Sequence, residues 1–267
     1  MNMGLLRVVA GLVLVCCLVA PLLPLGLWSV ARGWFFPQVL PATWTLEPWA
    51  RAFAPRSEIP GALLTTTTVA LASAGLALAL GIPAGRALGL YKFRGKALVE
   101  LALLAPVIVP GIAVGLGIHG VFLRLGLTNS MAGVILVHLV PTLPYVVFVM
   151  SGVFANYDAE AEAQARSLGA RPMQVLWHVM LPAIAPGVMV AGLFAFLVSW
   201  SQYILTLTIG GGRVVTLPLL LYAQAGAGRN DQAGVLAMLS LAPGLVILAL
   251  TARQLTGRGL ALGGGAR

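Results

Sequence analysis

The densest group of ionisable side chains in this sequence lies in residues 157–171, which read YDAEAEAQARSLGAR. Asp158 can cap a helix whose first turn carries Glu160 and Glu162 near its positive end. Glu162 can also pair with Arg166 one turn later, and the alanines between them favour the helix. The chemistry that this segment offers is recognition of a partner by charged and small side chains. A solvated connector is the alternative interpretation.

Glycine and proline residues set the limits of this charged segment. Gly169 fits the left-handed position that ends a helix, and Pro172 fits the first turn of a second short helix that stops before Pro182. Burying the charged side chains would cost on the order of 10 kcal/mol or more, so the segment must lie outside a bilayer. The sequence therefore predicts a small helix–turn–helix, here called the elbow, over about residues 157–182.

A second group of polar side chains lies on an apolar segment. Ser199, Gln202, Tyr203 and Thr206 are spaced at i, i+3, i+4 and i+7, which predicts one polar stripe on a helix. Such a stripe faces either a water-filled path or another helix, because lipid would leave its hydroxyl and amide groups unsatisfied. Both interpretations stay open at this point.

Other residues that could support catalysis or metal binding lack partners in the sequence. His119 and His138 have no carboxylate or cysteine at metal-ligand spacing, and His178 lies in the second predicted helix of the elbow, so packing or interfacial roles are expected. An intramembrane protease that used Ser73 with His119 or His138 would lack the G-x-S-x-G sequence. No G-x-x-x-x-G-K-[ST] sequence occurs either, so the chain is not expected to hydrolyse ATP itself.

The composition is that of a membrane protein. Of 267 residues, 60% are hydrophobic and 9% are charged, whereas soluble domains have about 45–50% apolar and about 25% charged residues. The net charge of +9 comes from 16 Lys and Arg residues placed singly between apolar blocks, which favours lipid headgroups over nucleic acid as their partners. The adjacent Cys16 and Cys17 are expected to be small buried side chains and not a disulfide.

Charge-free intervals locate the membrane spans, since a charge at mid-bilayer costs about 2.5–3.5 kcal/mol. Pro182 and Pro186 set the start of the fifth span, and residues 214–228 are too short for a crossing and predict a re-entrant or surface helix. We predict an all-α membrane protein with six transmembrane helices. Its spans are residues 8–30, 61–85, 100–124, 131–153, 186–208 and 232–252.

These spans divide the chain into three regions. Residues 1–60 form an N-terminal transmembrane helix and an external loop, residues 61–252 form a transmembrane core that includes the elbow, and residues 253–267 form a tail. With the N-terminus inside, ten Lys and Arg residues lie on the inner side and six on the outer side. The positive-inside rule then places both termini and the elbow in the cytoplasm.

The elbow resembles the EAA loop in the permease subunits of binding-protein-dependent ABC importers. The resemblance lies in residues 162–169, EAQARSLG, followed by VMLP at 179–182. In the family pattern, E-A-A is followed by three residues, Gly, nine residues and I-x-L-P. Gly169, Leu181 and Pro182 fit this spacing. The departure lies at the start, where Ala163 takes the place of the Glu and the acid stands one residue early.

Weaker matches to the same family extend over about residues 61–252. They are the run Thr65, Thr66, Thr67 and Thr68, the sequence PAGR at 83–86, Pro106 and Pro110, the sequence SWSQY at 199–203, and TLP at 216–218. The resemblance implies a six-helix permease of the type I (MetI-like) architecture. In that architecture the loop forms a coupling helix that docks in a cleft of a cytoplasmic ATPase.

Two sets of residues are candidates for these roles. We assign ATPase coupling to Glu160, Glu162, Ala163, Ala165, Arg166, Gly169, Leu181 and Pro182. We assign the translocation path, if the polar stripe lines it, to Ser199, Trp200, Gln202, Tyr203 and Thr206. The departure from the family pattern leaves open which acid contacts the ATPase.

The resemblance also implies partners and a location. The partners are two ATP-binding ABC ATPase subunits, a second permease subunit that is a paralogue or a copy, an extracytoplasmic substrate-binding protein and the lipid bilayer of the bacterial inner membrane. The chain itself is expected to bind no cofactor and no metal, because ATP and Mg²⁺ belong to the ATPase subunits. No covalent chemistry and no nucleic-acid partner are expected.

One segment of the sequence bears on the identity of the transported solute. The sequence TLPL at 216–219 favours polyamine, iron, sulfate or thiamine-like importers over sugar importers. A self-contained channel or secondary transporter is the alternative function. Such proteins usually place ionisable side chains at membrane depth, and the interiors of the predicted spans contain no Asp, Glu, Lys or Arg.

Overall fold

The computed structural model describes residues 3–34 and 37–262, and most of these residues are helical. A two-residue antiparallel ladder joins β1 (Ala31–Arg32) to β2 (Thr43–Trp44), and a π-helical turn at Leu176–Met180 joins α9 to α10. The helices are α1 (Met3–Val19), α2 (Leu22–Ser29), α3 (Glu47–Ala52), α4 (Ile59–Leu90), α5 (Lys96–Ile108), α6 (Gly111–Arg124), α7 (Met131–Ala155), α8 (Glu160–Ser167), α9 (Pro172–Val175), α10 (Leu181–Trp200), α11 (Ile204–Gly210), α12 (Leu217–Gly226) and α13 (Asn230–Leu262).

The chain forms two compact units. The first consists of Met1–Leu63 with Thr216–Arg267, and in it α2 packs against α13. Gly234 permits this packing, since a Cβ atom there would lie 2.7 Å from the Ser29 amide nitrogen. The second unit, Leu64–Val215, contains most of α4 and all of α5 to α11. Both groups of candidate site residues lie in this second unit.

The structure allows at most six membrane spans among the described residues, and six is the number that the sequence predicts. Within the described residues, four helical stretches are long and apolar enough to cross a membrane, and two bent pairs of shorter helices raise the number to six. The four are Ile59–Leu90, Met131–Ala155, Pro172–Trp200 and Asn230–Ala249. The predicted spans at 61–85, 131–153 and 232–252 are therefore confirmed as helices.

Two predicted spans are not single helices. The axes of α5 and α6 meet at 106°, so residues 100–124 do not form one straight span. Pro110 causes the break, because the residue before a proline avoids the helical region, and Val109 has extended torsions (φ −73°, ψ 135°). In the first predicted span, α1 ends at Val19 and α2 begins only after Pro21.

The predicted fifth span was wrong at both ends. Pro182 and Pro186 do not interrupt the chain, which is helical from Pro172 to Trp200. Pro182 lies in the first turn of α10, directly after the wider π-helical turn, where its missing N–H and its ring are accommodated. For the same reason the second helix of the elbow does not stop before Pro182. The helix instead ends at Trp200.

Glycines bring α4 and α7 into direct contact. A Cβ atom at Gly81, Gly85 or Gly89 would lie 2.5–2.7 Å from atoms of Val146, Met150 and Ser151 or Phe154, so larger residues do not fit. These glycines recur every four residues, the small-xxx-small spacing by which membrane helices approach closely. The prediction from sequence missed this contact, although the spacing in GIPAGRALG at 81–89 signals it.

Two further expectations can be compared with the structure. Cys16 and Cys17 are free, but they are exposed on α1 and not buried, because this part of the helix has few neighbours in the chain. The segment 214–228 contains α12, a ten-residue apolar helix that is too short to span a bilayer, as predicted. The predicted tail is helical as far as Leu262, and residues 263–267 lie outside the described residues.

Candidate functional site

The first helix of the elbow and the turn that ends it form where the sequence predicts them. The Asp158 side chain accepts a hydrogen bond from the Glu160 amide (2.9 Å) where α8 begins. Gly169 has a φ of +88°, and its amide donates to the Arg166 carbonyl (3.0 Å) while the Ala170 amide donates to the Ala165 carbonyl (3.0 Å). This pair of hydrogen bonds is the Schellman ending of a helix, which requires the left-handed glycine.

A second short helix follows directly. Pro172 occupies the first turn of α9, as predicted, and the Gln174 side chain accepts a hydrogen bond from the Arg171 amide (2.8 Å). His178 lies in the exposed π-helical turn and contacts the Gln174 carbonyl (3.0 Å). Hydrogen bonds between neighbours in the chain therefore shape both helices of the elbow.

The two faces of α8 have different environments. Its outer face is a shallow surface of exposed small, polar and apolar side chains, and Leu168 at its end is 90% exposed. The opposite face carries Glu162, which is 4% exposed, and the half-buried Ala165. Of the two acids on α8, only Glu160 is available to a partner in this conformation. The exposed side chains that line this shallow outer surface are Glu160, Ala163, Gln164, Ser167 and Leu168.

Glu162 belongs to an ionic cluster, defined here as Arg86, Glu162 and Arg166. One carboxylate oxygen, Glu162 Oε2, accepts from Arg166 (3.2 Å), which confirms the predicted pair at i, i+4. The same atom accepts from Arg86 (2.8 Å), which lies near the end of α4. The prediction from sequence missed Arg86 as a partner, because 76 residues separate it from Glu162 and no local spacing signals the contact.

Arg86 makes further contacts with the surrounding helices. Its guanidinium lies 5.9 Å from the ring centroid of Phe154 on α7, and one nitrogen donates to the sulfur of Met180 (2.7 Å). Leu181 is half-buried and packs against the apolar core that contains Phe154 and Met180, whereas Pro182 is exposed. The ionic cluster therefore lies where α4, α7, α8 and the start of α10 meet.

Tyr157 lies beside the buried carboxylate. Burial, and after it the neighbouring Glu162, raise the pKa of Tyr157 to about 12. Ionisation of the phenol would place a second negative charge in a partly desolvated site. Its hydroxyl and Glu162 Oε1 are both buried, and neither makes a hydrogen bond of standard geometry within the described residues.

The predicted polar stripe does not lie on one helix. α10 ends at Trp200 and α11 begins at Ile204, so the chain is not helical from Ser201 to Tyr203. Trp200 is 6% exposed and stacks on Phe196 with ring centroids 5.5 Å apart. The half-buried Tyr203 precedes α11. Because of this break, the residues of the predicted stripe do not share one helix face, and their surroundings differ.

Ser199 and Thr206 contact a buried histidine, and we call Ser199, Thr206 and His138 the histidine cluster. His138 Nδ1 lies 2.8 Å from Ser199 Oγ, and Nε2 lies 2.9 Å from Thr206 Oγ1. Thr206 donates its own hydrogen to the Gln202 carbonyl (3.0 Å), so it accepts from Nε2–H and Ser199 donates to Nδ1. These two stripe residues therefore join α10 and α11 to α7.

Gln202 and Ser201 line a cavity of about 300 Å³. The cavity lies at the junction of α5 and α6 and is bounded by α7, α10 and α11. Its other polar side chain is that of Tyr145, and no charged side chain lines it. The remaining lining residues are Pro106, Val107, Val109, Gly111, Val114, Val140, Pro141, Val198 and Leu205.

The alternative catalytic residues have structural partners. The Ser73 hydroxyl donates to the Ile135 carbonyl (3.1 Å), and His119 Nδ1 contacts the Thr208 carbonyl (3.0 Å), as expected for packing roles. Ser199 and His138 are within hydrogen-bond distance, but the second ring nitrogen meets a hydroxyl where a catalytic triad has a carboxylate. Among the described residues no group of three His, Cys, Asp or Glu side chains could hold a metal ion.

Comparisons with known proteins identify the family of the chain. Residues 77–258 match the family of binding-protein-dependent transport system inner membrane components. A molybdenum transport system permease protein of Mycobacterium tuberculosis is 33% identical over 222 residues, which cover 77% of this chain and 83% of the relative. A spermidine/putrescine transport system permease protein of Haemophilus influenzae is 25% identical over 190 residues (71% and 74%). A trehalose transport system permease protein of the same Mycobacterium species is 25% identical over 197 residues (73% and 71%).

A solved structure shares the fold. It is that of a bacterial ABC transporter involved in the import of the acidic polysaccharide alginate. The similarity covers 94% of this chain and 95% of that chain, with a TM-score of 0.69 and 17% sequence identity. The chain thus belongs to the binding-protein-dependent transport system inner membrane components, as a multi-pass permease subunit of an ABC importer.

Proposed function

We propose that this permease couples ATP hydrolysis by two partner ATPase subunits to the uptake of a small solute that a binding protein delivers. The observation that carries the proposal is the elbow, where α8 begins beside the Asp158 hydrogen bond to the Glu160 amide, ends in a Schellman turn and is fixed on one face. Its other face, with Ala163, Ser167 and Leu168, is exposed and shallow, so the groove of another protein can approach it closely. Glu160 on this face is the acid that would contact the ATPase.

The experiment that tests docking uses a single cysteine on the exposed face. Cys16 and Cys17 are first replaced by Ala, and Ser167→Cys is then introduced. A bifunctional thiol reagent should link the permease to its ATPase in membranes that contain the complete transporter. Glu100→Cys on α5 is the matched control, since Glu100 lies outside the elbow and should give no link. Absence of the Ser167→Cys link, or solute movement by the permease alone, would contradict the proposal.

We place the translocation path at the cavity beside the break between α10 and α11. Gln202 and Ser201 would face the solute there, while Ser199 and Thr206 would hold the helices together. Gln202→Leu should therefore change the uptake rate or the solute preference without preventing assembly. Thr208→Val is the control, because the Thr208 hydroxyl donates to the Ile204 carbonyl (3.0 Å) and does not line the cavity. Unchanged uptake with weakened assembly would assign Gln202 to packing.

For the solute we favour a tetrahedral oxyanion such as molybdate or sulfate. The 33% identical relative is a molybdenum transport permease, and hydroxyl and amide groups can donate to oxyanion oxygens without a competing charge. Polyamine, iron, thiamine-like and sugar solutes are the alternatives. Calorimetric titration of the co-purifying binding protein with molybdate, sulfate, spermidine and trehalose decides between these classes. Tight binding of spermidine or trehalose alone would exclude the oxyanion.

The remaining parts of the proposal concern assembly and orientation. We propose that a second permease, either a copy or a paralogue, completes the path, and that both termini and the elbow lie in the cytoplasm. ATP and Mg²⁺ would bind to the ATPase subunits and not to this chain. Labelling Ser167→Cys with a membrane-impermeant thiol reagent tests the orientation, since the label should enter only after the inner side is made accessible.

A further inference from the structure

We propose that Glu162 is a positioning residue. It ties α8, the helix that would dock on the ATPase, to α4 and makes no contact with the ATPase itself. The inference rests on the proposed function, because it concerns how movement of α8 reaches the membrane helices. Glu162 lies on the face of α8 that is turned towards the rest of the unit, and its side chain is 6% exposed. A carboxylate in that position cannot reach a partner that docks on the exposed face.

The two positive charges around Glu162 explain why the contact between α8 and α4 needs an acidic side chain at this position. Glu162 Oε2 accepts from both Arg86 (2.8 Å) and Arg166 (3.2 Å). Arg166 is 59% exposed and belongs to α8 itself, so that pair does not link α8 to another helix. Arg86 is 28% exposed and belongs to α4. The bond between Glu162 and Arg86 is therefore the charged connection between α8 and a membrane-spanning helix.

Arg86 also links α4 to α7 and to the start of α10. It also contacts the Phe154 ring on α7 and the sulfur of Met180 in the π-helical turn before α10. Gly85, its neighbour in sequence, packs without a side chain against Met150, so that α4 and α7 form one closely packed pair at this point. A displacement of α8 would pull on Arg86, and Arg86 is held against both α7 and the start of α10.

Two acids placed two residues apart on α8 therefore have separate roles. Glu160 is exposed and would contribute to the affinity of the ATPase for the elbow. Glu162 would contribute to the transmission of movement after the ATPase has docked. Replacing each acid by its amide preserves size and helix propensity, so a difference between the two variants reports the position of the charge.

The experiment measures ATP hydrolysis, solute uptake and docking on the same complete transporter in proteoliposomes. Docking is the yield of the Ser167→Cys link to the ATPase. For Glu162→Gln we expect an unchanged link, retained ATP hydrolysis, and a solute-to-ATP ratio lowered by about tenfold, which is within the usual range of coupling between sites. For Glu160→Gln we expect a lower link yield and an unchanged ratio in the complexes that form. Glu100→Gln on α5 should leave all three measurements unchanged.

A double-mutant cycle distinguishes loss of the ion pair between Glu162 and Arg86 from misfolding of a single variant. Arg86→Gln should give the same loss of ratio as Glu162→Gln, and the double variant Arg86→Gln/Glu162→Gln should be no worse than either single variant, since the ion pair between Glu162 and Arg86 is absent from all three. The double variant leaves no uncompensated charge at the α4 side, so it should insert and assemble even if Glu162→Gln does not.

The outcomes separate this inference from the proposed function. Independent, additive losses in the cycle, or a normal ratio in Glu162→Gln and in the double variant, would overturn the positioning role while leaving docking intact. A loss of the link in Glu162→Gln at normal expression would assign Glu162 to the ATPase contact and would also overturn it. Absence of any link to an ATPase in the otherwise unaltered protein would overturn the proposed function itself.

Discussion

The ionic cluster and the histidine cluster both fix a helix to its neighbours, but they use different chemistry. At the elbow, the Glu162 carboxylate is shared between two guanidinium groups. Between α7 and the break that follows Trp200, His138 is instead held by two neutral hydroxyl groups. The first cluster includes an arginine that reaches solvent, whereas all members of the second are at most 2% exposed.

This difference follows from the surroundings of each cluster. A charge deep in a bilayer costs several kcal/mol, so a contact within the spanning helices must use neutral groups. At the elbow the exposed part of Arg166 keeps its hydration, which lowers the cost of burying Glu162. A neutral cluster stabilises the fold through its hydrogen bonds alone. An ionic cluster can in addition transmit force, because separating its charges is costly.

The largest expected effect comes from moving α4 away from α7 without changing any charge. Gly85→Leu would place a side chain where a Cβ atom already lies 2.5 Å from the Met150 Cβ. The helices must separate, and overpacking of this kind costs about 1–3 kcal/mol or more. We expect poor assembly and a large loss of thermal stability in detergent.

Gly75→Leu is the matched control for that variant. Gly75 lies on the same helix, and a Cβ atom added to it would have no atom within 4 Å outside its own stretch of helix. Its melting temperature should be close to that of the unaltered protein. Equal losses for the two variants would mean that the close approach of α4 to α7 at Gly85 does not stabilise the fold.

The second effect tests the histidine cluster. His138→Leu removes both hydrogen bonds and leaves the buried Ser199 hydroxyl without its partner, at a cost of about 1–3 kcal/mol. The measurement is the loss of melting temperature together with the solute-to-ATP ratio. We expect lower stability but a normal ratio in the protein that assembles, the reverse of the result expected for Glu162→Gln.

His119→Leu provides the comparison, since His119 is half-buried and contacts a single carbonyl, that of Thr208. Its loss of stability should be smaller than that of His138→Leu. If His138→Leu lowered the ratio of transported solute to ATP as strongly as Glu162→Gln does, the two clusters would not have distinct roles.

The two clusters also show which contacts the sequence can predict. Asp158, the Glu162–Arg166 pair and Gly169 are predictable from spacing alone, because capping, i, i+4 pairing and left-handed turns depend on neighbours in the chain. Arg86 and His138 are not predictable as partners, because their contacts join residues 76 and 61 or more positions apart.

The predicted stripe is wrong for a related reason. The spacing of Ser199 and Thr206 defines one face only on a continuous helix, and the break after Trp200 leaves no strong local signal between them. Similarly, Pro182 predicts a helix end, although the π-helical turn before it allows the helix to continue. The family and the class of fold are predictable, because they depend on composition and on the spacing of the elbow.

A smaller effect is expected at the end of α8. Gly169→Val forces a β-branched residue to a φ of +88°, which costs about 1–2 kcal/mol per residue in the left-handed region. The Schellman ending should loosen, and the solute-to-ATP ratio should fall because Leu168 and the exposed face of α8 are displaced. Gly169→Asn is the control, since asparagine tolerates left-handed torsions, and it should retain most of the ratio. Full transport by Gly169→Val would show that the elbow does not need this turn.

The smallest effect concerns the phenol beside the ionic cluster. The pKa of Tyr157 is raised to about 12 in the folded protein, first by burial and then by Glu162, from an ordinary value of 10.0. Well below pH 10 the phenol is protonated in both the folded and the unfolded states, so Tyr157 adds no pH dependence there. As the pH rises from 10 towards 12, the unfolded state loses this proton first, and the stability of the folded state falls. Melting temperatures in detergent should therefore decline less steeply over this interval for Tyr157→Phe than for the unaltered protein. Identical slopes for Tyr157→Phe and the unaltered protein would show that the Tyr157 phenol is not buried beside the Glu162 carboxylate. The surroundings of the ionic cluster would then be more hydrated than the contrast with the histidine cluster requires.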